Sequence, residues 1–156
     1  MPRSLALVAL ILALATATAA AQDQAAGWNP RTGDAWVDAA LGDMNDYGGR
    51  YRDAFVDELV RYHGAPRDYV EDLLGEGWAP GDVYQACAVG EAIGRSCRYV
   101  AEQWQRHRGD GWGALAQRLG LEPGSAWFRR LKRGIETAYA HWARPLPAPV
   151  PPGQAR

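Results

Sequence analysis

The stretch Asp82–Ile93, DVYQACAVGEAI, limits what this chain can become more than any other. Val83, Tyr84, Ala86, Cys87, Ala88, Val89, Ala92 and Ile93 leave a helix there apolar on nearly every side. Such a helix has no water-facing stripe, so the rest of the fold has to surround it. Its one interior charge is Glu91. The sequence predicts an all-α fold: a compact bundle of about seven short helices around a buried central helix at 82–93.

The surrounding segments fit that expectation. Trp36, Val37, Ala40, Leu41 and Met44 share one stripe of a helix over 34–44. The cluster Asn45-Asp46-Tyr47-Gly48-Gly49 reads as a turn. Tyr51, Phe55, Leu59 and Tyr62 recur at three- and four-residue steps in a second helix, and Gly64 offers a left-handed stop. A third short helix spans 67–74. Asp82 reads as the N-cap of the central helix. Cys97, Val100, Ala101 and Trp104 define a fifth helix, Trp112, Leu115, Ala116 and Leu119 a sixth. Ser125 caps a last helix reaching Trp142. No run shows strand alternation.

Residues 1–21 read as a signal peptide. Arg3 precedes an apolar run from Leu5 to Leu14, and Ala19 and Ala21 suit a signal peptidase, with cleavage before Gln22. The run is short for a bilayer span, and no Cys follows it to carry a lipid. Residues 22–33 read as a flexible N-terminal segment, 34–143 as a single helical domain, and 144–156 as a disordered Pro-rich tail. The expected location is periplasmic or secreted, with no membrane span after signal cleavage. Beyond a signal peptide a disulfide between Cys87 and Cys97 is allowed. In an unbroken helix the two would stand roughly 15 Å apart along the axis. A bridge therefore needs the chain to turn at Gly94-Arg95-Ser96.

Gly77-Trp-Ala-Pro80-Gly81-Asp82-Val-Tyr84 is echoed by Gly120-Leu-Glu-Pro123-Gly124-Ser125-Ala-Trp127, 43 positions later. Both duplication and convergence on good connection residues explain such an echo, and two copies do not make a solenoid. Trp112–Ser125, followed by Arg129, Arg130, Lys132 and Arg133, has helix-turn-helix spacing. The export signal, the formal net charge of −1 and the need to expose Trp127 or Phe128 all argue against DNA, so no nucleic-acid partner is expected. The pattern WG-x-L-A-x-x-LG-x-x-PGS, within Asp82–Arg133, resembles a motif of small exported bacterial proteins of uncharacterised function. The resemblance implies export and a helical fold and carries over no catalytic residues.

Chemistry is sparse. His63, His107 and His141 are far apart and no HExxH or paired CxxC occurs, so no metal and no cofactor is expected. Ser96 and Ser125 read as caps. Glu91, on an apolar helix, is the one weak catalytic candidate, a general acid needing a second carboxylate such as Asp46, Asp57 or Glu102. Its competing role is an ion pair with Arg95, four residues on. The seven Trp and seven Tyr all follow the signal segment, and Trp78 and Tyr47 sit in Gly-rich stretches from which rings can be exposed. These two are the candidate ligand-binding residues. The preferred expectation is an exported, non-enzymatic helical interaction protein of the cell envelope, binding an envelope protein or glycan. The alternatives are an envelope glycan hydrolase using Glu91 and a helix-turn-helix nucleic-acid binder.

Overall fold

The computed structural model describes residues 27–122 and 124–148. The expected signal segment and the end of the Pro-rich tail lie outside them. The described residues form seven α-helices and no strand. They are α1 (Ala35–Arg50), α2 (Arg52–His63), α3 (Arg67–Gly75), α4 (Pro80–Ile93), α5 (Cys97–His107), α6 (Trp112–Arg118) and α7 (Ala126–His141), with a single 3-10 turn, Arg108–Asp110, between α5 and α6. The fold is all-α, as the periodicity requires.

The central helix is α4. Every residue from Gly81 to Cys87 is buried, as are Val89 and Gly90, and α1, α2, α3, α5 and α7 all pack on it. Its N-terminal half crosses α1 backbone to backbone. A Cβ on Gly81 would stand 2.5 Å from the Leu41 carbonyl oxygen, so only glycine permits this crossing. The opposite face at the C-terminal half is less covered: Glu91 is exposed, and Ala88 and Ala92 are half-buried.

Two expected boundaries move. The chain does not turn at Asn45–Gly49; α1 continues to Arg50. Leu41, Met44, Tyr47 and Gly48 keep the core spacing going, and Gly48 gives Pro80 room to pack, where a Cβ would meet it at 2.6 Å. Tertiary packing here overrides weak helix propensity. Asp82 is not a cap either. Ala79 occupies that position, Pro80 opens the helix, and Asp82 is 5% exposed.

Asp82 instead anchors an indole cluster. Trp112 Nε1 donates to one carboxylate oxygen at 2.7 Å and Trp28 Nε1 to the other at 3.1 Å. Trp104 stacks on Trp112 at 4.1 Å. Burial pushes the Asp82 carboxyl up from its ordinary range, and the indole hydrogen bonds oppose that shift. Trp28 thereby ties the N-terminal segment to the core. The Trp112 and Gly113 amides add bonds to the carbonyls of Pro30 (2.8 Å) and Arg31 (2.9 Å). Residues 28–32 are thus part of the fold rather than a loose leader. At the other end Arg144 grips Asp43 through two bonds, 2.8 and 2.6 Å, so the domain runs past 143.

Gly94 ends α4 in the left-handed conformation, φ 67°, and Ser96 caps α5 through the Tyr99 amide. That turn brings Cys87 and Cys97 to disulfide distance, with sulfurs 2.05 Å and Cα atoms 4.1 Å apart. Both residues are buried.

Candidate functional site

The two expected binding rings are not on the surface. Tyr47 is 8% exposed, inside helix α1 rather than on a loop, and stacks on Trp142 at 4.3 Å. Trp78 does lie in the α3–α4 connection but is 7% exposed, with the Arg108 guanidinium over its ring at 4.8 Å. Large rings in a small domain are drawn into the core because their apolar area dominates. The aromatics left exposed are Tyr51 and Tyr62, which the periodicity had placed on a core stripe. They sit at the two ends of α2, where covering neighbours run out; Tyr62 stacks on His141 at 4.0 Å.

Glu91 also differs from expectation. Arg95 lies beyond the left-handed Gly94, so no helical i,i+4 pair forms, and its guanidinium rests over Tyr99. The partner of Glu91 is His63, the last residue of α2, with Nδ1 2.9 Å from the carboxylate. Chemistry assigns Nδ1–H as the donor. The imidazole also meets Tyr84 edge-on at 5.1 Å and is itself 7% exposed.

These three residues frame a cavity of about 190 Å³ between α4 and α7. From α4 it is lined by Tyr84, Ala88, Glu91 and Ala92, positions i, i+4, i+7 and i+8, which share one helix face. From α7 it is lined by Trp127, Arg130, Leu131 and Gly134, which follow the i, i+3, i+4, i+7 pattern. Two helix faces thus oppose each other across small residues, and His63 closes one end.

The polar groups of this cleft are incompletely matched. Tyr84 is fully buried, and its hydroxyl has no hydrogen-bond partner among the described residues. Trp127 is 5% exposed, and its Nε1 has none either. A Cβ on Gly134 would lie 3.6 Å from the Tyr84 hydroxyl, in ordinary contact with it. Burial, with Glu58 and Glu91 nearby, raises the phenol well above its ordinary range and keeps it protonated. Gln85 Oε1, Trp104 Nε1 and Trp142 Nε1, away from the cavity, are also buried with no hydrogen-bond partner among the described residues.

The sequence echo runs through this site. Tyr84 and Trp127, Ala88 and Leu131, and Glu91 and Gly134 are equivalent pairs at the same 43-residue offset, and all six line the cavity. The echo was legible; that its two copies face each other was not.

The other candidates find structural roles. Asp57 pairs with Arg67 and Arg61. Glu91 is the one carboxylate on the cavity wall, so the two-carboxylate geometry of a glycosidase has no second member there. In the helix-turn-helix-like segment Trp127 is buried, Lys132 pairs with Asp34, and Arg129 bonds the Gly124 carbonyl at 3.1 Å. Among the described residues no group of three or more His, Cys, Asp or Glu could hold a metal ion, and no helix is long and apolar enough to cross a membrane. Compared with known proteins, the chain matches no family model, no curated protein and no solved structure.

Proposed function

We propose that this is an exported, non-enzymatic helical binding protein of the cell envelope, and that it takes a small ligand into the α4–α7 cleft. The observation that carries the reading is the cavity of about 190 Å³ between α4 and α7, whose wall holds the exposed side chains of Arg130 and Glu91 beside Ala88, Ala92 and Leu131. The signal-like residues 1–21 and the Cys87–Cys97 pair support the exported compartment. Among the described residues that line the cleft Glu91 is the single carboxylate, which favours binding over two-carboxylate hydrolysis.

The test is a small-fragment screen read on the Trp127 indole N–H signal, against wild type and a Gly134→Leu variant that fills the cavity. Ligands that shift the signal in wild type and not in the folded variant support the reading. A screen in which no fragment moves that signal overturns it. Intact mass of the native protein checks export: a chain beginning at Gln22 and short by two hydrogens is expected.

A further inference from the structure

Three large apolar side chains are left in solvent among the described residues: Tyr51 at 56%, Tyr62 at 52% and Leu146 at 44% exposed. One tyrosine stands just before α2 and the other in its last turn, about 16 Å apart along the helix axis. The end of α7 lies between them. Tyr51 packs on Tyr47 at 5.1 Å, Tyr47 stacks on Trp142, Trp142 follows His141 in the chain, and His141 stacks on Tyr62. Tyr51, Trp142, His141 and Tyr62 thus form an aromatic strip, and none of the four is fully buried. The strip lies apart from the α4–α7 cleft, since none of its residues lines that cavity.

Leu146 belongs to the run Pro145-Leu-Pro-Ala-Pro-Val-Pro-Pro152, which holds no charge and no hydrogen-bonding side chain. Two features set where this run starts. Ala143 takes the left-handed conformation, φ 50°, and the Arg144 amide bonds back to the Tyr139 carbonyl at 3.0 Å, which turns the chain off the α7 axis. Arg144 then grips Asp43, with its guanidinium 5.6 Å from the Tyr47 ring. The run therefore leaves the fold one ring away from Tyr51. An apolar run and an apolar strip stand side by side, and each is the cover the other lacks. Their chemistry also matches. Aromatic-lined grooves recognise polyproline helices, and proline's preset backbone angle means that docking orders little. At ~3.1 Å per residue the run reaches about 22 Å, enough to pass both tyrosines. We propose that the strip docks the chain's own proline-rich run, residues 145–152, which crosses Tyr51 and Tyr62 as an extended polyproline helix. Tethered at Arg144, the run meets the strip at an effective concentration on the order of mM, which favours it over the same run on a second copy.

The experiment compares the native full chain with a full-length variant carrying Pro145→Ser, Leu146→Ser, Pro147→Ser, Pro149→Ser, Pro151→Ser and Pro152→Ser. Tyrosine nitration by tetranitromethane is read by peptide mass spectrometry. Tyr51 and Tyr62 are expected to react at least fivefold faster in the variant, with half-buried Tyr99 on α5 unchanged. In the converse variant, Tyr51→Ala with Tyr62→Ala in the full chain, a prolyl endopeptidase should cleave the run at least fivefold faster at an unchanged unfolding midpoint. Nitration and cleavage rates that match between wild type and variants overturn the proposal. Protection of the tyrosines that grows with protein concentration overturns it too, because a second copy would then be holding the run.

Discussion

Asp82 and Tyr84 are two residues apart on the same helix, both buried and both polar, and they have opposite surroundings. Asp82 faces α1, α6 and the N-terminal segment, where two indole N–H groups occupy its two oxygens. Tyr84 faces α7 and His63, where its hydroxyl meets no partner. The first region is a closed polar knot holding distant parts of the chain together. The second leaves its hydroxyl buried and unpaired among the described residues. The contrast separates a polar group retained for architecture from one available to something else, because a satisfied group is stabilising and an orphan is a standing penalty.

The largest expected effect belongs to the closed knot. Asp82→Ala strands the buried Trp112 donor and the half-buried Trp28 donor, at roughly 1–3 kcal/mol for the buried one and less for the other, so a loss of about 2–3 kcal/mol is expected by denaturant unfolding. A loss under about 1 kcal/mol would mean the cluster is packing alone. The disulfide comes next. Replacing both cysteines by Ala releases a loop of ten residues, and chain entropy puts the loss near 2.5 kcal/mol. It should appear in unfolding and leave the cleft's ligand response intact in the folded fraction.

Asp82 also carries a pH signature. Its native pKa is raised above 3.8, chiefly by burial. The folded state therefore holds the proton more tightly, and this contribution falls away as pH rises from 3.8 through the native value. Asp43 runs the other way: its hydrogen bonds to Arg144 lower it, so its stabilisation is present above 3.8 and is lost as pH falls through the native value. Asp82→Asn removes only the first term. Over the window above pH 3.8, wild type should lose stability relative to that variant as pH increases. A constant gap would contradict the raised pKa. The effect is expected to be smaller than the disulfide's, since the indoles hold the shift in check.

The helices and the central position of α4 were readable because apolar spacing is a local signal, and Asp82–Ile93 has apolar residues all round. The turn that joins Cys87 to Cys97 was readable for the same reason, since Gly94 and Ser96 act within a few residues. The site was not. Trp28 and Trp112 reach Asp82 from 54 and 30 positions away, and nothing local marks which of seven tryptophans will do so. His63 meets Glu91 across 28 positions. Composition flagged an aromatic excess but not its placement, and it drew attention to Trp78 and Tyr47, whose rings pack inside. The 43-residue echo was the one signal pointing at Tyr84 and Trp127 together.

The smallest effects test the Tyr84 region. Gly134 is mid-helix, where Ala is favoured by up to about 1 kcal/mol. The added Cβ would have ordinary contact with the Tyr84 hydroxyl, so Gly134→Ala should raise stability by about that amount while reducing ligand affinity. Tyr84→Phe is the sharper case. It deletes an oxygen that has no hydrogen-bond partner among the described residues and keeps the ring that fills the core, so stability should change by less than about 0.5 kcal/mol, with a slight gain the expected sign. Were the hydroxyl a structural element like the Asp82 carboxylate, the same change would strand its partner and cost several times more. Unfolding of Tyr84→Phe beside Asp82→Ala therefore measures the difference between the two halves of α4 directly. A near-neutral phenylalanine identifies a hydroxyl that does not hold the fold together.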